Sequence, residues 1–291
     1  MTDMKIRTIH TGYLKLDGGA MFGVVPKRMW EKMNPPDAQN MCTWAMRALL
    51  VETAGRKILI DTGMGNKQDE RFRSHFEPHG PENLFDSLAQ AGVSRTDITD
   101  VFLTHLHFDH CGGALWKNER SGSVELSFPR ATYWTNERHY QWALHPNARE
   151  KASFLPENFV PLHEAGRLQF VPLRQNTEFL PGFRVRFLYG HTEAMMAPVL
   201  NTPAGTLLYC ADLIPSQWHV GMPYVMAYDL RPLKTLSEKA KLLSEAAQKK
   251  QVLFFEHDPQ CEAGRVRLDE AGRLVLGQKG ALDELLPPKI T

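Results

Sequence analysis

The stretch 101–113, VFLTHLHFDHCGG, constrains this chain more than any other. An apolar run delivers His105, His107, Asp109 and His110 in quick succession, and Gly112 and Gly113 follow. Burying so many imidazole and carboxylate groups without partners would cost several kcal/mol. A bound cation removes that cost. Read as extended chain, the segment points His105 and His107 to one side. Asp109 and His110 then lie on the turn that follows. Gly112 and Gly113 let the backbone turn tightly and approach the site closely. The two pairs each supply part of a coordination shell. Neutral imidazole with carboxylate suits zinc, and also iron or manganese.

Other apolar runs end the same way. His191 follows FLYG, Asp212 follows LLYCA and His257 follows LFFE. Strands in a layered α/β fold deliver loop residues to one rim in this manner. Between the strands the chain reads as helix at 81–92, at 135–146 with Thr135 as the cap, and at 233–251. Strands and helices alternate through two successive sets, which predicts an α/β layered architecture with sheets inside and helices outside. No linker divides the halves, so residues 1–291 read as one domain.

The least regular region is 17–43, rich in Pro and Gly yet apolar. Such a loop reads as a wall or lid over a pocket. Met21, Phe22 and Trp30 are candidate lining residues, together with Trp218, Met222 and Tyr224 from 217–228.

Several function classes are excluded. The net charge is +1, so no global field draws the chain to nucleic acid or to an anionic membrane. The four cysteines form no CxxC pair, which fits a reducing compartment. Cys111 and Cys210 flank candidate ligands and read as packed thiols. The N-terminal residues lack the apolar core of a signal peptide, and no apolar run is long enough to span a bilayer. A cytoplasmic location is the expectation. No GxSxG, P-loop or GxGxxG occurs, so neither a serine nucleophile nor a nucleotide cofactor is implied. His10, His139 and His163 read as surface or satisfied core, as do His75, His79 and His145.

These motifs closely resemble the metallo-β-lactamase superfamily. Its HxHxDH signature stands here as His105-Leu106-His107-Phe108-Asp109-His110. The downstream ligands match in order at His191 in GHT, Asp212 in YCAD and His257 in FEHD. LIDTG also matches, with Asp61 resembling the acid that supports a ligand histidine. The resemblance implies a four-layer αβ/βα sandwich with metals at one edge of two packed sheets. It implies one metal on His105, His107 and His191, a second on Asp109, His110 and His257, and Asp212 bridging them. The cofactors expected are two divalent ions, Zn2+ first, with Mn2+ or Fe2+ as alternatives. The reaction implied is hydrolysis of a small-molecule lactone or carboxylic ester by a hydroxide held between the ions, with Asp212 as proton shuttle.

The segment LDGGAMFGVVPKRMW resembles the N-terminal loop of the quorum-quenching lactonase branch. Two departures stand out. The common GHTPGH is GHTEAM here, and no tyrosine follows closely on Asp212 to assist a substrate carbonyl. Ser216, Trp218 or His219 could fill that space, and His219 is the candidate for a catalytic role beside Asp109 and Asp212. The alternatives are phosphoester or organophosphate hydrolysis on the same site, and an iron-dependent oxidoreductase. Di-iron members usually carry an acid at the position of His107 and a flavin domain. A homodimer is compatible with the sequence.

Overall fold

Continuously apolar strands require cover on both faces, and two stacked sheets flanked by helices provide it. A computed structural model describes residues 3–174 and 177–288. The expected single domain, 1–291, therefore extends outside the described residues at both ends and at 175–176. In chain order the strands are β1 (Lys5–Asp17), β2 (Met41–Thr53), β3 (Arg56–Ile60), β4 (Asp100–Phe102), β5 (Leu115–Lys117), β6 (Val124–Leu126), β7 (Thr132–Thr135) and β8 (Leu168–Phe170). They continue with β9 (Thr177–Leu180), β10 (Phe183–Leu188), β11 (Met195–Thr202), β12 (Gly205–Tyr209), β13 (Val252–Phe254), β14 (Ala263–Leu268) and β15 (Leu274–Gly280). One sheet runs β1-β2-β3-β4-β7-β8 and the other β15-β14-β13-β12-β11-β10-β9, while β5 and β6 form a separate ribbon.

Side-chain alternation sorts the faces. Leu49, Val51, Ile58, Ile60 and Phe102 of the first sheet pack with Val185, Met196, Leu208 and Leu253 of the second, forming the core between sheets. Their neighbours Ala48, Leu50, Leu59 and Val101 point outward and pack with Leu84, Leu88 and Tyr140, which come from the helices Leu84–Gln90 and Glu137–Leu144. The helix Pro232–Gln248 covers the second sheet through β14. The layer order is helix, sheet, sheet, helix, which is the αβ/βα sandwich expected.

Two local expectations are corrected. The helix in 135–146 is Glu137–Leu144, and its cap is Asn136, not Thr135: Asn136 Oδ1 accepts from His139 N at 2.9 Å while Thr135 closes β7. The segment 17–43 is not one irregular loop. Asp17 ends β1, Gly18–Phe22 and Lys27–Trp30 are short helices, and 41–43 open β2. Asp17 organises it, accepting from Ala20 N at 2.8 Å and from Asn40 Nδ2 at 2.9 Å. The turn expected to carry Asp109 and His110 is present, since Phe108–Cys111 forms one helical turn with an extended His107 at its N-cap.

Candidate metal centre

Four strands aim at one edge of the sandwich. β4 ends at Phe102, β10 at Leu188, β12 at Tyr209 and β13 at Phe254. His105, His191, Asp212 and His257 each stand three residues beyond those ends. Rigid strands thus set the spacing of side chains that are distant in sequence. The glycines after His110 serve this placement: a Cβ on Gly112 would meet Met64 O at 2.1 Å, and one on Gly113 would meet Thr62 O at 2.2 Å. They let the metal loop press against the turn that carries Asp61. Ala211, just before Asp212, has φ of 43°, a strained conformation for a residue with a Cβ.

The seven predicted ligand residues come together as two groups. His105, His107, His191 and Asp212 offer ligand atoms within 4.8 Å of one another, and so do Asp109, His110 and His257. His107 Nδ1 and His191 Nε2 are 3.2 Å apart, as are His110 Nε2 and His257 Nε2. Asp212 stands between the groups. Its Oδ2 is 3.1 Å from His191 Nε2 and 3.8 Å from His105 Nε2. Its Oδ1 is 3.1 Å from His257 Nε2 and 3.5 Å from His110 Nε2. Asp109 Oδ2 lies 3.8 Å from His110 Nε2 and 3.9 Å from His257 Nε2.

The far nitrogen is engaged on four of the five candidate histidines, which fixes ring orientation and tautomer there. Thr104 Oγ1 donates to Asp61 Oδ2 at 2.6 Å and so accepts from His105 Nδ1 at 3.1 Å. Asp229 Oδ1 accepts from His191 Nδ1 at 2.8 Å, and Ala45 O accepts from His257 Nδ1 at 2.8 Å. His110 Nδ1 lies 3.3 Å from Asp61 Oδ2 and 3.2 Å from Glu256 Oε1. His107 Nε2 faces Glu150 Oε1 at 3.6 Å. On the other four the inner nitrogen is left to present a lone pair to the centre, while His107 Nε2 is buried without a hydrogen-bond partner among the described residues.

The electrostatics favour a cation. His105 Nε2 and Asp212 Oδ1 are buried without a hydrogen-bond partner among the described residues. Such orphaned polar atoms, in a nitrogen and oxygen donor set, fit divalent metals. Burial opposes charge on His191, yet Asp212 and Asp229 draw its pKa up to about 10. Burial likewise opposes charge on His257, and Asp212 with Glu256 brings it to about 9. The carboxylates attract positive charge, and metal ions supply it to neutral imidazoles. Burial pushes the Glu256 carboxyl up to about 7, and the Asp61 carboxylate adds to the rise.

Residues 47–257 match the family model described as the metallo-beta-lactamase superfamily. The chain belongs to the metallo-β-lactamase superfamily. It is a metal-dependent hydrolase of that superfamily, related at low identity to quorum-quenching lactonases. A probable metal-dependent hydrolase from Staphylococcus aureus superposes with a TM-score of 0.83 at 25% identity, covering 96% of this chain and 97% of its own. AidC, a dizinc quorum-quenching lactonase, superposes with a TM-score of 0.75 at 23% identity over 96% of both chains. The N-acyl homoserine lactonase AiiA of Bacillus thuringiensis subsp. kurstaki is 23% identical over 275 residues, 90% of this chain and 96% of the relative.

Within this superfamily site, one predicted residue takes another role. His219 is buried, its Nδ1 is 2.7 Å from Ser216 Oγ, and its Nε2 is 2.9 Å from Met21 O. Both ring nitrogens are occupied in holding protein segments together, so His219 is not free to assist a substrate carbonyl. Burial also lowers it to about 3, which keeps it neutral.

The remaining expectations divide. Cys111 and Cys210 are packed thiols as expected; burial pushes Cys111 up to about 12. Met21, Phe22 and Trp30 form one apolar cluster, against which Trp218 and Tyr224 pack, but Met222 packs into the core between the sheets instead. Phe108, inside the HxHxDH motif, joins that cluster, as does Leu155 at its margin.

Four supporting residues were not anticipated. Glu150 is held by Thr192 Oγ1 at 2.5 Å, Trp142 Nε1 at 2.7 Å and Asn147 Nδ2 at 2.8 Å, and it faces His107. Asp229 and Glu256 hold His191 and His110. His139, read as satisfied core, is that and more: it accepts from Leu106 N at 2.8 Å, between two candidate ligand residues. An acid next to a motif histidine was a usable signal for Glu256; Glu150 and Asp229 lie in loops without any local signature. Among the described residues no helix is long and apolar enough to cross a membrane.

Proposed function

We propose that this chain is a dinuclear hydrolase of lactones or carboxylic esters, with two divalent ions, Zn2+ foremost. The observation that carries this reading is Asp212, which turns one carboxylate oxygen toward each ligand group. His105, His107 and His191 would hold one ion; Asp109, His110 and His257 would hold the other. Bound there, divalent ions supply Lewis acidity that lowers the pKa of water and polarises a carbonyl.

The chain's own residues do the rest. His107, Asp109 and Asp212 keep 6%, 9% and 7% exposure, whereas His105 and His110 have none, so substrate approaches from the former side. Phe154 packs tilted against His107 with ring centroids 4.7 Å apart, and Phe108 links the site to the Phe22 and Trp218 cluster. This apolar flank suits an acyl group and excludes bulk water. Asp212 orients the attacking water and takes its proton as the new C–O bond forms. The ester C–O bond then breaks, and Asp212 returns the proton to the departing alkoxide. The kinship to N-acyl homoserine lactonases supports the substrate class.

The test is turnover of lactones, aryl esters, phosphotriesters and β-lactams by zinc- and manganese-loaded protein. The reading expects kcat/KM highest on lactones or aryl esters. A preference for phosphotriesters would replace it with organophosphate hydrolysis on the same ligands, and iron content with oxygen consumption would refute hydrolysis altogether.

A further inference from the structure

Residues 213–230 form an arch tied to the metal centre at both ends. At its start His257 N donates to Pro215 O at 2.9 Å, and Gln217 N donates to Asp258 Oδ2 at 2.7 Å. At its finish Asp229 holds His191, and Leu230 N donates to His191 O at 3.1 Å. Between these ties it carries Trp218 and Tyr224, whose rings lie 6.0 and 6.1 Å from that of Phe22. It also grips the helix Gly18–Phe22: His219 meets Met21 O, and Ala227 N donates to Ala20 O at 2.8 Å. The arch has only one short 3-10 turn of its own, Gln217–Val220.

Lys239 holds the middle. It lies on the helix Pro232–Gln248, whose buried stripe is Thr235, Lys239, Leu242, Leu243 and Ala246. Lys239 therefore occupies a core position of an amphipathic helix, where an apolar residue is the rule. Its side chain is wholly buried. Nζ donates to His219 O at 3.1 Å, Gly221 O at 3.0 Å and Tyr224 O at 2.8 Å, which uses all three N–H groups. Among the described residues Lys239 makes no ion pair. A buried ammonium is costly, and here its return is three loop carbonyls gathered at one point.

We propose that Lys239 is the positioning residue for substrate selection: it fixes the arch that places Trp218 and Tyr224 beside the metal centre. The selection half rests on the hydrolase reading above; the clamp itself does not. In the metal-loaded protein, Lys239→Met should leave metal content unchanged. Amide exchange in 217–226 should rise by about tenfold or more while β10 to β13 stay protected. On a short-acyl lactone kcat should stay within about threefold, whereas KM for a long-acyl lactone should rise by about tenfold or more.

Lys239→Gln keeps two donors and should fall between wild type and Lys239→Met in both measurements. It remains informative if Lys239→Met fails to fold. Unchanged exchange in 217–226, or an unchanged preference between long and short acyl chains, would overturn the proposal. If neither wild type nor variants hydrolyse lactones or esters but exchange rises as stated, the clamp stands and the substrate reading alone fails.

Discussion

Four of the five candidate ligand histidines are fixed by what the outer nitrogen touches. Glu150 acts on His107 by charge instead: three donors fix its carboxylate, which stands 3.6 Å from His107 Nε2. Removing its charge leaves the shape but takes away the acid that faces His107. Glu150→Gln is therefore expected to weaken metal affinity or activity by about 10–100-fold, read by competition with a chelating dye. Unchanged affinity would assign Glu150 to packing only. His219 gives a prediction on stability. Burial holds it at about 3 when folded, below the ordinary value of about 6.5. Between those values the unfolded chain binds more protons, so stability rises with pH across the window and is lost as pH falls from about 6.5 toward 3. At pH 4.5 the loss from this group is on the order of 3 kcal/mol. His219→Gln should flatten that part of the profile, measured as urea midpoints at pH 7 and 4.5.

At the scale of elements, β4, β10, β12 and β13 all stop three residues short of a candidate ligand. That regularity is why His105, His191, Asp212 and His257 were legible as a constellation: apolar runs and the polar residues after them are local features. The helix Gly18–Phe22 joins the arch through Phe22, whose ring neighbours Trp30, Trp44, Trp218, His219 and Tyr224. Phe22→Ala is expected to cost about 3–5 kcal/mol of stability. It should alter acyl-chain preference more than metal content, as judged by denaturation and by paired kinetics and metal analysis. Loss of metal instead would show that the helix supports the centre directly.

What the sequence hid was tertiary. Asp229 reaches His191 across 38 residues. Glu150 likewise reaches His107 from a distant loop. No period or flanking strand marks either acid. His219 looked free because its partners, Ser216 and Met21, are set only by folding. The Thr135 cap was misplaced by one residue for a similar reason, since Asn136 is recruited by both the helix and Ala194 O.

Taken whole, the molecule uses two sheets as a rigid bracket and gathers its candidate metal ligands at one rim. The core between the sheets and the packed thiols need no metal to explain them; the rim does. His105 Nε2 and Asp212 Oδ1 lack partners, and Asp212 addresses both ligand groups at once. The proposed function therefore expects two ions per chain. The deciding measurement is the metal-to-protein ratio of purified, dialysed protein by elemental analysis, compared with Asp212→Ala. The account predicts about two divalent ions per chain in wild type and a clear loss in the variant. One ion per chain, or two retained without Asp212, would contradict it.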